Sequence, residues 1–158
     1  MSIIEFFIES HWEIERPNLS FYLNDLKLDN GHCLLYEKVN KNTEYLIYKF
    51  ITDVKFVNHN YIKIKLSKKT DELVTKDCDH WVEIKNIFLD GIGADWLLYN
   101  KTKFRHDMPS EWIEDMKNQN IEIPKEFCPG TVMRLNGVME FYFEQPFWLF
   151  KTKEIENS

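Results

Sequence analysis

The chain lacks the features that mark secreted and membrane-spanning proteins. Its three cysteines, Cys33, Cys78 and Cys128, are odd in number and widely spaced. That pattern favours free thiols in a reducing cytosol over a disulfide framework. The N-terminal stretch has no basic region ahead of its apolar residues, and no apolar run reaches the ~20 residues that cross a bilayer. We therefore expect a cytoplasmic protein that does not associate with membranes.

Positive charge is also scarce. The formal net charge is −6, and it is uneven: −4 over residues 1–40, +5 over 41–69 and −7 over 70–158. Affinity for nucleic acid comes from neutralising phosphates with Lys and Arg, so the acidic balance argues against nucleic acid and favours a basic partner. The positive middle segment leaves one alternative open, which is a small ligand or nucleic acid bound by the lysines and tyrosines of residues 41–69.

Apolar residues make up 44% of the chain and aromatic residues 15%. A disordered chain is poor in aromatic residues, so this composition indicates a folded globule. With 158 residues, the chain is long enough for one sizeable core, and we predict a single domain over residues 1–158.

The N-terminal segment has the pattern of a helix. Ser2 followed by Glu5 fits a capping box. The apolar residues at helical spacing are Ile4, Phe7, Ile8 and Trp12. We predict an N-terminal helix that ends near Trp12.

From Leu19 to Leu66 the apolar residues alternate with polar ones, which predicts an antiparallel meander of about four strands. A further strand is predicted from Trp81 to Leu89. A short helix is predicted near residues 108–118, because Pro109 is tolerated only in a first turn. The predicted fold class is α+β, with one antiparallel sheet as its main part.

Asn136 and Gly137 form a dipeptide that is typical of a two-residue hairpin turn. The flanking residues alternate, so we predict a half-buried hairpin with Val132, Met139 and Phe141 on its apolar face.

No catalytic, cofactor or metal motif is evident. The cluster Asp77-Cys78-Asp79-His80 has no second ligand pair at zinc-site spacing, so no metal is predicted. Asp90-Gly91-Ile92-Gly93 lacks the third glycine and the following Lys of a phosphate-binding loop, and a tight turn is the better interpretation. No catalytic residue and no cofactor are predicted. The alternative is a small enzyme whose site assembles only in three dimensions, with His80, His106 and Asp107 as its first candidates.

The leading hypothesis is a non-catalytic protein-binding domain. Acidic side chains steer a basic partner, and tryptophan is enriched in interfaces. An inhibitor or immunity protein that neutralises a nuclease toxin is one concrete form. The competing interpretation is that Trp96 and Trp112 are ordinary core residues. The predicted partner-binding residues are Asp90, Asp95, Trp96, Asp107, Glu111, Trp112, Glu114 and Asp115.

Overall fold

The computed structural model describes most of the chain, and the statements below concern that part. The described residues are 2–12, 16–29, 31–53, 55–67, 81–94, 102–107, 110–122, 124–134, 136–145, 150 and 152–153.

The described chain forms two antiparallel sheets and one short helix, and strands account for 63% of the described residues. The strands of sheet A are β1 (Ser2–His11), β4 (His32–Asn40), β5 (Thr43–Thr52), β7 (Trp81–Leu89), β8 (Ile92–Gly93) and β11 (Val132–Met133). The strands of sheet B are β2 (Asn18–Leu23), β3 (Leu26–Lys27), β6 (His59–Ser67), β9 (Thr102–His106), β10 (Glu126–Phe127) and β12 (Gly137–Glu144). The helix α1 spans Ser110–Asn118.

The strands do not follow chain order within the sheets. In sheet A the order is β11-β7-β1-β5-β4, with β8 paired to β7. In sheet B it is β10-β9-β12-β6-β2-β3. The chain crosses from one sheet to the other after β1, β3, β5, β6, β8, β10 and β11, so each sheet is assembled from distant parts of the sequence.

The core lies between the two sheets. Phe6 of β1 packs on Phe21 of β2, with ring centroids 4.5 Å apart, and Phe21 also contacts Phe50 of β5 at 5.2 Å. These contacts join sheet A to sheet B. The remaining inner positions of both sheets are filled by aliphatic and aromatic side chains, such as Ile64 and Phe141. Two facing sheets each need one apolar face, and the period-two pattern supplies it.

The predicted α+β class is wrong, because the described chain is mostly antiparallel β-sheet with only one short helix. The predicted N-terminal helix is β1, in which buried and half-buried residues alternate from Ser2 to His11. Ile4 and Ile8 are four residues apart, a spacing that suits one face of a helix or of a strand. Phe6, between them, also points into the core, and that is the strand pattern. Pairing with β5 on one side and β7 on the other overrides any helical preference.

The predicted single sheet and the predicted hairpin are also wrong. Strands do form between Leu19 and Leu66, but they are divided between the two sheets. Val132 lies in β11 of sheet A, whereas Met139 and Phe141 lie in β12 of sheet B, so Asn136-Gly137 joins two sheets instead of closing a hairpin. Gly137 is needed for a close approach: a Cβ there would stand 2.3 Å from the carbonyl oxygen of Arg105.

Three local predictions are confirmed. β7 covers the predicted strand from Trp81 to Leu89, and α1 lies within the predicted helical range. Asp90 and Gly91 form the tight turn between β7 and β8, both with positive φ. In this turn Asp90 Oδ1 accepts a 2.7 Å hydrogen bond from the backbone N–H of Ile3.

Candidate functional site

The helix α1 carries four of the predicted partner-binding residues. None of its nine residues is buried. Glu111, Glu114 and Asp115 are exposed, and Trp112 is half-buried. The structure therefore brings these four side chains together on one short element at the surface.

The C-terminal end of α1 shapes an apolar groove beside this helix. Asn120 has φ of 61°, and the backbone N–H of Ile121 bonds the carbonyl of Met116 at 2.8 Å. The N–H of Asn120 bonds the carbonyl of Lys117 at 3.0 Å, which completes a Schellman motif. The motif folds Ile121 back toward Met116, as the hydrophobic contact of this motif requires. The groove has a volume of about 430 Å³ and is lined by Ile113, Met116, Lys117, Ile121, Glu122 and Pro124.

The other predicted partner-binding residues are more scattered. Asp107 is exposed and follows β9, three residues before α1. Its backbone N–H bonds the carbonyl of Asn136 at 2.8 Å, next to the start of β12. Asp90 lies at the other end of the strands, beside Ile3. Asp95 and Trp96 lie outside the described residues. The structure therefore groups Asp107 with α1 and separates Asp90 from them.

The candidates for a small enzyme do not form a site in the described part of the chain. His106 is buried in β9, whereas Asp107, the next residue, is exposed. His80 and the cluster Asp77-Cys78-Asp79-His80 lie outside the described residues. Within the part of the chain that the structure describes, no group of three or more His, Cys, Asp or Glu side chains could hold a metal ion.

A polar cluster of His59, Tyr142 and Glu144 lies on the outer face of sheet B. The hydroxyl of Tyr142 donates a 2.6 Å hydrogen bond to Glu144 Oε1, and the ring of His59 stacks on Tyr142 at 5.9 Å. Desolvation and the neighbouring Glu144 carboxylate raise the pKa of Tyr142 to about 12. The phenol is therefore protonated at neutral pH and acts as a donor, not as a base.

The lysines and tyrosines of residues 41–69 do not share one surface. Tyr61, Lys63 and Lys65 lie on the outer face of sheet B, whereas Tyr48 lines a cleft between the sheets. Lys63 is paired with Asp25, and a neighbouring cation, Arg105, bonds Glu126 at 3.3 Å. Carboxylates thus accompany the cations of this face, which weakens the case for a phosphate-binding surface.

The strand β4 is a surface feature that sequence reasoning missed. All nine of its residues are exposed, although they include Leu34, Leu35 and Tyr36. Three apolar residues in a row place apolar side chains on both faces, which is typical of a strand covered on both sides. The sequence pattern therefore carried no signal for an exposed edge strand.

A cleft of about 450 Å³ lies between the sheets beside β4. Cys33 and Tyr48 lie on its sheet A side, and Tyr48 hydrogen-bonds the Cys33 thiol. Desolvation by burial raises the pKa of Cys33 above its ordinary value, in spite of the opposing hydrogen bond from Tyr48. The thiol is therefore mainly protonated at neutral pH, and it is poorly suited to nucleophilic catalysis.

Comparison with protein-family models, with curated proteins and with solved structures gives no match to this chain. Among the described residues there is no helix with the length and apolar character needed to cross a bilayer.

Proposed function

We propose that this chain is a non-catalytic protein-binding domain that docks a basic protein partner on α1 and the groove beside it. The observation that carries this proposal is the helix itself: α1 is amphipathic, yet none of its residues is buried. Most helices of a small domain bury one apolar stripe against the core. A helix that leaves Ile113 and Met116 to line an open groove is available for a partner.

The charge around the groove favours a basic partner. Residues 110–122 contain four acidic residues and one basic residue, which gives a local net charge of −3. Glu111, Glu114 and Asp115 are exposed, so they act mainly on the rate of encounter with a partner. The apolar groove and the half-buried Trp112 would supply most of the affinity. An inhibitor or immunity protein directed at a basic toxin is one form that this function takes.

The test is quantitative capture from an extract of the source cells, followed by mass spectrometry. The variant Glu114→Lys/Asp115→Lys removes the acidic side of α1. Its matched control is Asp29→Lys/Asp53→Lys, two exposed acids outside α1. Both double variants change the formal net charge from −6 by the same four units. We expect the basic partner to be lost from the α1 variant and retained by the control.

Binding kinetics with the captured partner separate steering from anchoring. The α1 charge reversal should slow association and flatten its dependence on salt. Trp112→Ala should instead speed dissociation, by an amount worth about 2 kcal/mol or more. If Trp112 is a core residue, the same variant will lower the melting temperature and leave dissociation unchanged. Capture that is equal for both double variants would contradict the proposal.

A further inference from the structure

The edge formed by β4 differs from the other sheet edges that the structure describes. β4 pairs with β5 on one side only, and its nine residues are all exposed. Leu34 is 59% exposed, Leu35 56% and Tyr36 65%. The other outermost strands that the structure describes are β3, β8, β10 and β11, each two residues long. A very short edge offers too few backbone groups to pair with another chain, whereas β4 offers a long row of them.

The two halves of β4 are unlike. Its register with β5 shifts between Leu35 and Glu37, and again between Lys38 and Asn40. Bulges and charged side chains are the usual protection of an edge against pairing, and both occur in this second half. The first half, from His32 to Leu35, keeps a regular register with β5 and has no Asp, Glu, Lys or Arg. The unprotected part of the edge is therefore His32 to Leu35, and Tyr36 lies at the first bulge.

We propose that β4 pairs antiparallel with β4 of a second copy of this chain, across a two-fold axis centred on Leu34. Such a pair would join the two copies of sheet A into one continuous sheet. Two-fold symmetry is the commonest arrangement for homodimers, and the same surface patch then serves both copies. This self-association is independent of the docking surface proposed on α1.

The choice of Leu34 as the centre follows from side-chain complementarity. In this register Leu34 faces Leu34 of the partner copy. On the same outer face, His32 lies opposite Tyr36, and on the inner face Cys33 lies opposite Leu35. Each pair is apolar or aromatic and can pack across the strands. The first register shift of β4 falls at Tyr36, so the two pairs of His32 with Tyr36 mark the ends of this pairing.

Registers displaced toward the second half of β4 place charged side chains opposite uncharged ones. Centring the pair on Leu35 places His32 opposite Lys38 and Cys33 opposite Glu37. Centring it on Tyr36 places Leu35 opposite Glu37. In both registers a glutamate lies opposite an uncharged side chain, and in the first a lysine also lies opposite His32. Of these three registers, only the one centred on Leu34 keeps Asp, Glu, Lys and Arg out of the pairs between His32 and Tyr36.

The first test measures self-association by sedimentation velocity or light scattering over a wide range of concentrations. The parent protein should form a dimer as its concentration rises. Leu34→Lys places two lysines opposite each other on the axis, and self-association should weaken about tenfold or more. Ile51→Lys is the matched control, since Ile51 is 49% exposed on β5 and not on the edge. It should dimerise like the parent.

The second test fixes the register by disulfide trapping. In a background with Cys33→Ser, Cys78→Ser and Cys128→Ser, Leu34→Cys should cross-link under mild oxidation. Residues directly opposite in an antiparallel pair have Cα atoms about 4.5–5.5 Å apart, within the range of a disulfide. Leu35→Cys in the same background should not cross-link, because it faces residue 33 of the other copy.

Three outcomes would overturn the proposal. The first is a protein that stays monomeric at every concentration, which would leave the edge to a strand of a different protein. The second is dimerisation that Leu34→Lys leaves intact. The third is efficient cross-linking of Leu35→Cys with none for Leu34→Cys. Circular dichroism of Leu34→Lys is the control for folding. We expect the spectrum of the parent, because an exposed substitution leaves the core unchanged.

Discussion

The strands β4 and β12 have similar compositions but differ in the burial of their side chains. Each carries five apolar residues, which are Cys33, Leu34, Leu35, Tyr36 and Val39 in β4, and Val138, Met139, Phe141, Tyr142 and Phe143 in β12. In β12, buried and half-buried positions alternate along the whole strand, whereas all of β4 is exposed.

The difference in burial comes from the strands that pair with β4 and β12. β12 is paired on both sides, with β6 and β9, and its inner face is covered by sheet A. β4 is paired on one side only and lies at the margin of the core. Apolar content therefore does not decide burial in this protein; position within the sheet does.

The largest expected effect contrasts matched aromatic truncations on the two strands. Phe141→Ala removes a ring that is 2% exposed and should cost about 3–5 kcal/mol of unfolding free energy. Tyr36→Ala removes an exposed ring whose centroid lies 5.4 Å from that of Phe7, and it should cost about 1 kcal/mol of unfolding free energy. Urea denaturation of both variants measures the two losses of unfolding free energy. The protein concentration is kept low so that dimerisation does not contribute to them. Equal losses would refute the contrast.

The next effect contrasts two glycines. A Cβ at Gly137, the first residue of β12, meets the Arg105 carbonyl oxygen and also lies 2.9 Å from the Cα of His106. Backbone cannot move aside cheaply, so Gly137→Ala should cost about 1–3 kcal/mol.

Gly31, next to β4, is the counterpart. A Cβ there meets the ring of Phe50 at 2.3 Å, and that ring adjoins the open cleft between the sheets. The contact at Gly31 is with a side chain and not with backbone, although the Phe50 ring is itself buried against Phe21. We therefore expect Gly31→Ala to lower the melting temperature less than Gly137→Ala. The reverse order would show that the β4 margin is as tightly packed as β12.

The smallest effect concerns the thiol on the inner side of β4. Because the pKa of Cys33 is raised, its thiolate fraction at pH 8 is low and alkylation should be slow for an exposed cysteine. The hydrogen bond from Tyr48 opposes this shift. Tyr48→Phe should therefore raise the pKa of Cys33 further and slow alkylation at the same pH.

Rates of iodoacetamide labelling against pH, measured in a Cys78→Ser/Cys128→Ser background, check this prediction. Faster labelling of Cys33 in the Tyr48→Phe variant would contradict the assigned role of the hydrogen bond. Labelling of the parent at the rate of an unfolded chain would contradict the raised pKa.

The local elements could be predicted from the sequence where periodicity was decisive. β7 and α1 fall within their predicted ranges because each carries a clear period and a clear boundary, such as the Asp90-Gly91 turn. β1 could not be assigned in the same way, because the spacing of Ile4 and Ile8 suits a helix and a strand equally. Its two strand neighbours decide the outcome, and they lie far away in the sequence.

The division into two sheets could not be predicted, because no local pattern records which strands pair. The dipeptide Asn136-Gly137 is an example. Its glycine permits a close approach to β9 and does not form a hairpin turn, but the sequence is the same in both cases. The partner-binding surface stays a prediction, and the structure shows only where its residues lie. The residues of α1 lie together, but Asp90 is remote, since proximity along the chain does not place it on the same face.

The position of β1 between β5 and β7 has a consequence for how the chain folds. Ile4 pairs with Phe50 on one side and with Leu89 on the other, so β1 is synthesised well before both of its partner strands. Such pairings carry a large loop-closure entropy, and domains dominated by them fold on a scale of about milliseconds to seconds. Until residues 81–89 have been synthesised, β1 exposes an apolar edge, and this interval is when the nascent chain is most prone to aggregate.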